Sequence, residues 1–141
     1  MSAENLELVR GMYEAFGRGD IDAVVASMDP QIEWIEPYPV GHNPGTHIGP
    51  DAVVQDVFMP AVREWDGFSA EAEEFLDAGD RVVVTGVITG RHKVTGRELN
   101  APVCWVWTIR AGKVVRNYNY QDTAKWLSAQ ASAELPALVS V

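Results

Sequence analysis

The chain has 141 residues, 47% of them hydrophobic and 22% charged, which describes one folded domain spanning 1–141 and excludes a disordered or fibrous chain. A formal net charge of −9 argues against nucleic acid and anionic membranes as partners, because phosphates would be repelled. With no apolar run of the ~18 residues that span a bilayer, no basic-then-apolar leader in MSAENLELVR and one cysteine, Cys104, the expectation is a cytoplasmic protein without a disulfide or a cysteine-based metal cluster.

In chain order, Leu6, Val9, Met12, Tyr13 and Phe16 recur at helical spacing, and Gly17 and Gly19 stop that helix. Asp20 is placed to cap a second short helix whose apolar face is Ile21, Val24, Val25 and Met28; Asp29-Pro30 ends it. QIEWIEP, residues 31–37, reads as the first strand. Pro37, Pro39, Gly41, Pro44 and Gly45 make the next segment a loop. A third helix opens at GPDAVV and carries Val54, Val57, Phe58, Ala61, Val62 and Trp65, with Pro60 set to kink or break it.

From residue 68 the period changes. FSAEAEEFLDA, DRVVVTGVITG, RELNAPVCWVWTI and KVVRNYNYQ are strand-like runs separated by AGD, KVTG and RAGK, a punctuation that predicts consecutive antiparallel hairpins. A last short helix starts at DTAKWL with Asp122 as its cap, and the tail ELPALVSV is expected to be loosely held or to cover a neighbouring surface. Helices followed by a long curved antiparallel sheet form an α+β layout, in which three helices against one sheet face enclose a cone with an apolar interior.

The strings YEAFGRGDIDAVVASMDPQIEW, THIGPDAV, EEFLDAGDRVVV, APVCWVWTIRAGKVV and YQDTAKW resemble the SnoaL-like and ketosteroid isomerase-related group of the nuclear transport factor two superfamily. The resemblance covers nearly the whole chain and implies that group's cone-shaped, cystatin-like fold. It also implies a general base at Glu36, since in the ketosteroid isomerases an acid followed by proline at the end of the first strand has that role. Their oxyanion-hole positions fall on Met12, with Tyr13 one residue off, and on Cys104 after Ala101-Pro102, so that pair of donors is replaced here. The acid–arginine–acid set of the limonene epoxide hydrolases is absent: Val87, Thr89 and Asn119 stand at its places. The last-strand acid of the polyketide cyclases also falls on Asn119.

Alternation extends the cavity wall from Trp34 and Glu36. It assigns Thr85, Val87 and Thr89 to the next wall strand, Cys104 and Val106 to another, and Asn117, Asn119 and Gln121 to the last. Leu6, Met12, Phe16, Val54, Phe58 and Trp65 close the cone from the helices, with Tyr13 competing with Met12 for the interior. A carboxylate beside tryptophan in a poorly solvated cavity has its charged form disfavoured, which suits Glu36 to proton transfer near neutral pH. Asn119 and Asn117 offer amide hydrogens to an oxyanion or a ligand carbonyl, and three alternating amides with Gln121 point to a ligand with acceptors or hydroxyls. His47 precedes the third helix closely enough to point at the cavity as an acid–base partner, while His42 reads as a surface residue.

The expected function is cofactor-independent acid–base chemistry (isomerisation, cyclisation or dehydration) on an apolar carbonyl metabolite. Glu36, Asn119 and His47 are the catalytic candidates, and no metal site is expected, since His42, His47 and His92 have no paired carboxylates at ligand spacing. The alternative is a non-catalytic binding protein for an apolar metabolite. With Cys104 and Asn119 inward, Trp105, Trp107, Tyr118 and Tyr120 would all face outward, so a homodimer through that sheet face is expected to cover them.

Overall fold

A computed structural model describes residues 2–131; the expectation for ELPALVSV lies outside the described residues. The N-terminal periodicity forms α1 (Ser2–Gly17), which buries Val9, Met12 and Ala15. Asp20 accepts from the Ala23 amide at 3.1 Å and starts α2 (Ile21–Ala26), as its cap position requires. β1 (Met28–Glu36) follows, then β2 (Gly45–Ile48), a strand inside the segment expected to be only loop. Its pairing with β1, Trp34 opposite His47, forms despite the Pro and Gly content because β2 is a sheet edge needing one partner only.

The third helical segment is α3 (Pro50–Val53), a π-helical turn (Val54–Phe58) and α4 (Met59–Glu64). Pro60 is the physical cause of the interruption: it has no N–H to give to the carbonyl of Asp56. The Asn43 side chain donates to that carbonyl instead, at 3.0 Å. Helix expected through Trp65 therefore ends one residue earlier, and Trp65 opens β3 (Trp65–Ala78). β4 (Arg81–His92), β5 (Glu98–Arg110) and β6 (Lys113–Gln121) then follow as antiparallel hairpins, and Asp122 caps α5 (Thr123–Gln130) through the Lys125 amide.

The six strands lie in the order β2-β1-β6-β5-β4-β3, with β1–β6 the one parallel pairing. Two bulges in β3, between Asp66 and Ser69 and between Ala72 and Glu74, lie along the stretches of β4 that hold Gly90 and Gly86. A Cβ at Gly86 would stand 2.0 Å from the carbonyl oxygen of Glu71, so only glycine allows the two backbones to approach where the sheet bends. The bend wraps the sheet around α1 and the α3–α4 segment and leaves a cone between them.

The wall assignment is corrected at β4 and β5. Trp105 pairs with Asn119 and Val84, and Trp107 with Asn117 and Val82; opposed residues share a face, so both tryptophans point inward and are 4% exposed. Thr85, Val87, Thr89, Cys104 and Val106 consequently lie on the outer face with Tyr118 and Tyr120, not on the cavity wall. The expected outward cluster of four aromatics reduces to Tyr118 and Tyr120, whose rings sit 4.6 Å apart.

Candidate active site

The cone holds a cavity of about 90 Å³ bounded by α1, the loop after β1, the π turn, α4 and the concave sheet face. All five tryptophans of the chain line it: Trp34, Trp65, Trp105, Trp107 and Trp126. Tyr13, Phe16, Phe58 and Phe68 add four more rings. The rings pack edge to face, Trp34 against Trp107 at 5.5 Å and against Phe58 at 5.3 Å, the arrangement their quadrupoles favour. The exposed lining residues His42 and Asp56 mark the mouth.

Glu36 ends β1 pointing into this wall, because it alternates with buried Ile32 and Trp34 and Pro37 stops the strand behind it. Its Oε1 accepts the Trp34 indole N–H at 2.9 Å. Its Oε2 is shielded from solvent and has no hydrogen-bond partner among the described residues, although other atoms of the residue keep some exposure. Burial raises the carboxyl pKa from 4.5 to about 7, and the Trp34 hydrogen bond opposes only part of that shift. The group therefore holds or releases a proton near neutral pH.

Tyr13 reaches the cavity together with Met12, so the two do not exclude one another. The Trp107 indole donates to the Tyr13 hydroxyl at 3.1 Å, and Tyr13 packs edge to face on Trp105, Trp107 and Phe75. Burial pushes the phenol pKa well above its usual value, so this hydroxyl stays protonated and can donate. Two indoles thus each give their N–H to one oxygen of the cavity, Trp34 to Glu36 and Trp107 to Tyr13.

The last-strand amides do something different from what their spacing suggests. Trp126 Nε1 donates to Gln121 Oε1 at 3.1 Å, Gln121 Nε2 to Asn119 Oδ1 at 3.4 Å, and Asn119 Nδ2 to Asn117 Oδ1 at 2.6 Å. Asn119 Nδ2 also donates to the carbonyl of Ile35 at 3.1 Å, which uses both its amide hydrogens. Asn119 and Gln121 line the cavity, but Asn117, fully buried, does not. The chain of amides ties the last strand to the end of β1 beside Glu36, and Asn117 Nδ2 has no hydrogen-bond partner among the described residues.

Of the two loop histidines, His47 departs from its expected position, whereas His42 is exposed as expected. His47 Nε2 lies 2.6 Å from the carbonyl of Asn43 and Nδ1 lies 3.8 Å from Asp56, so the ring serves the β2–π-turn junction and is not part of the cavity lining. His42, expected on the surface, lines the mouth and meets Glu64 through Nδ1 at 2.5 Å. Phe16, Phe58 and Trp65 line the cavity as expected; Leu6 and Val54 do not, and Val57 takes the place of Val54. Sequence reasoning missed Asp56, Glu64, Trp105, Trp107 and Trp126. Five tryptophans in so short a chain was the one signal that could have found the last three.

Residues 9–117 match the family described as SnoaL-like domain. Solved structures give the same architecture. An NTF2-like protein of Burkholderia thailandensis is 32% identical, with a TM-score of 0.85 over 90% of this chain and 97% of that one. An NTF2-like protein of Burkholderia xenovorans is 34% identical, with a TM-score of 0.77 over 93% and 98%. TerC, co-crystallised with polyporic acid, is 26% identical, with a TM-score of 0.79 over 89% and 97%. No curated protein matches the chain.

Proposed function

The chain belongs to the SnoaL-like family of the NTF2-like superfamily, and from that premise we propose that it is an enzyme moving a proton at or beside a carbonyl of an apolar metabolite. The observation that carries the reading is Glu36, a carboxyl with one oxygen held by Trp34 and the other unpartnered inside an aromatic cavity. In the proposed step Oε2 removes a proton from the carbon next to the carbonyl. The electron pair moves onto the carbonyl oxygen, and the Tyr13 hydroxyl donates to that developing oxyanion. Trp107, donating to Tyr13, supports the phenol as its hydrogen is drawn away. Glu36 then returns the proton to a second position, which completes an isomerisation, or to a leaving hydroxyl, which completes a dehydration. Asn119 is assigned as a positioning residue through its bond to Ile35, and His47 is left out of the chemistry. No metal or organic cofactor takes part in this step.

Family membership supports a small-molecule cone, and TerC's polyporic acid supports an organic ligand for this chain. A second reading, a binding protein without chemistry, is favoured by one observation: the Asn119 donors are used internally, so Tyr13 stands without a second oxyanion donor. Carboxyl NMR titration of the ligand-free protein tests the premise: a Glu36 pKa near the usual ~4.3 would return it to an ordinary surface acid. Tyr13→Phe separates the readings. Losing an oxyanion donor costs ~10²–10³-fold in kcat, whereas a binding protein shows only a modest change in affinity.

We further take the protein to be cytoplasmic; among the described residues no helix is long and apolar enough to cross a membrane. A homodimer through the outer sheet face remains part of the proposal, resting now on Tyr118 and Tyr120 with Cys104 and Val106. Sedimentation that gives a monomer at micromolar concentration would remove it.

A further inference from the structure

Three carboxyl groups line the cavity, beside uncharged Tyr13, Asn43, Asn119 and Gln121. Glu36 lies inside it, Asp56 and Glu64 line it nearer the mouth, and no lysine or arginine is among its described lining residues. The basic side chains beside them are histidines: His42 on Glu64, and His47 3.8 Å from Asp56 but outside the lining. The walls are aromatic, and an indole ring carries on its face the negative charge that attracts cations. Glu36 Oε2 has no donor, which leaves the cavity short of one hydrogen-bearing, positively polarised group. A carboxylate or phosphate on a ligand would meet three acidic side chains and no lysine or arginine among the described lining residues.

From this combination we infer that the cone selects ligands by charge and takes an organic ammonium, an aromatic or aliphatic amine in its protonated form. The inference deepens the proposed function, since it assigns a protonated amine to the substrate that Glu36 acts on. One ammonium hydrogen takes one lone pair of Glu36 Oε2 and leaves the other for the substrate's C–H, the aromatic wall holds the cation's substituents, and Asp56 and Glu64 draw it through the mouth. The acidic surface of the whole chain, −9 at neutral pH, adds long-range attraction of the same sign.

The test uses three unreactive probes of one shape, benzylammonium, benzyl alcohol and benzoate, titrated at pH 8 against the full chain. The readout is the fluorescence of its five cavity tryptophans. Benzylammonium is expected to bind at least ~10-fold more tightly than benzoate, with the alcohol between them. Glu36→Gln, and separately Glu64→Gln, should shrink the ammonium-to-alcohol preference about threefold or more while leaving the alcohol's affinity in place. A variant that merely loosens the fold would weaken all three probes together, leave their ratio unchanged, and so count against the inference. Tightest binding of the alcohol or of benzoate overturns charge selection and leaves the proton-transfer reading standing. If no probe binds, the cavity is not an open site and both readings fall.

Discussion

On the concave face of the sheet Trp34, Trp105 and Trp107 are 6%, 4% and 4% exposed, and Glu36 and Asn119 sit among them. On the outer face of the same strands, one residue out of phase, Cys104, Val106 and Tyr118 are only partly buried, and Tyr120 is 56% exposed. Both faces are largely apolar, so hydrophobicity does not tell them apart. What distinguishes them is ring size and closure. Large rings packed edge to face under α1 exclude water around one carboxyl, whereas the outer face leaves its smaller groups wet. The proposed proton transfer is placed on the concave side because desolvation there is what raises the pKa of Glu36.

The largest effect expected from that contrast is catalytic. Glu36→Gln keeps the shape and the Trp34 contact but cannot take a proton, so kcat should fall ~10²–10⁴-fold with KM largely kept. A variant with unchanged turnover would put Glu36 with the outer-face residues as chemically idle. Next comes stability. Trp107→Ala removes a buried ring and the Tyr13 hydrogen bond and should cost ~3–5 kcal/mol by urea unfolding, against under ~1 kcal/mol for Val106→Ala directly beside it, both measured at a dilution where copies of the chain do not pair. Equal costs would mean that the outer face is covered as thoroughly as the inner one.

A smaller effect follows from pH. Below 4.5 the Glu36 carboxyl is neutral in folded and unfolded chains alike; between 4.5 and about 7 the unfolded chain releases its proton while the folded chain keeps it. This group's contribution to stability is thus fully present below 4.5 and is lost as pH rises through about 7, a span of roughly 3 kcal/mol. Unfolding curves at pH 4.5 and pH 8 should show that loss in the parent chain, and Glu36→Gln should remove it. The smallest effect is expected at Thr89→Ala and Cys104→Ala, which lie outside the cavity and should leave both activity and ligand-induced quenching within twofold of the parent.

Much of the site was legible because β1 is unambiguous. Ile32, Trp34 and Glu36 alternate with Gln31, Glu33 and Ile35, and Pro37 marks the strand's end, so local pattern puts Glu36 on the side of Trp34, and the family resemblance points that side inward. The caps Asp20 and Asp122 and the break before Pro60 were equally local, since each depends on a side chain or a missing N–H within a turn of its effect. The place of His47 was not. His47 stands opposite Trp34 in a strand that the Pro and Gly content hides, but its ring is held by the Asn43 carbonyl and stays outside the cavity lining.

What the sequence determined by itself was the element order apart from β2, the α+β class and a carboxyl beside a tryptophan at the end of β1. These rest on periodicity, capping and chain stops, which act over a few residues. The phase of β5 was decided only by the tertiary structure. In APVCWVWTI both alternating sets are apolar, Val103, Trp105 and Trp107 in one and Pro102, Cys104 and Val106 in the other, so no local rule chooses between them. Pairing with β6 makes the choice by setting Trp105 against Asn119, and a one-residue slip would have sent every side chain to the opposite face. Volume favours the observed phase: the cone under α1 has room for the two indoles, whereas cysteine and valine there would leave the interior empty.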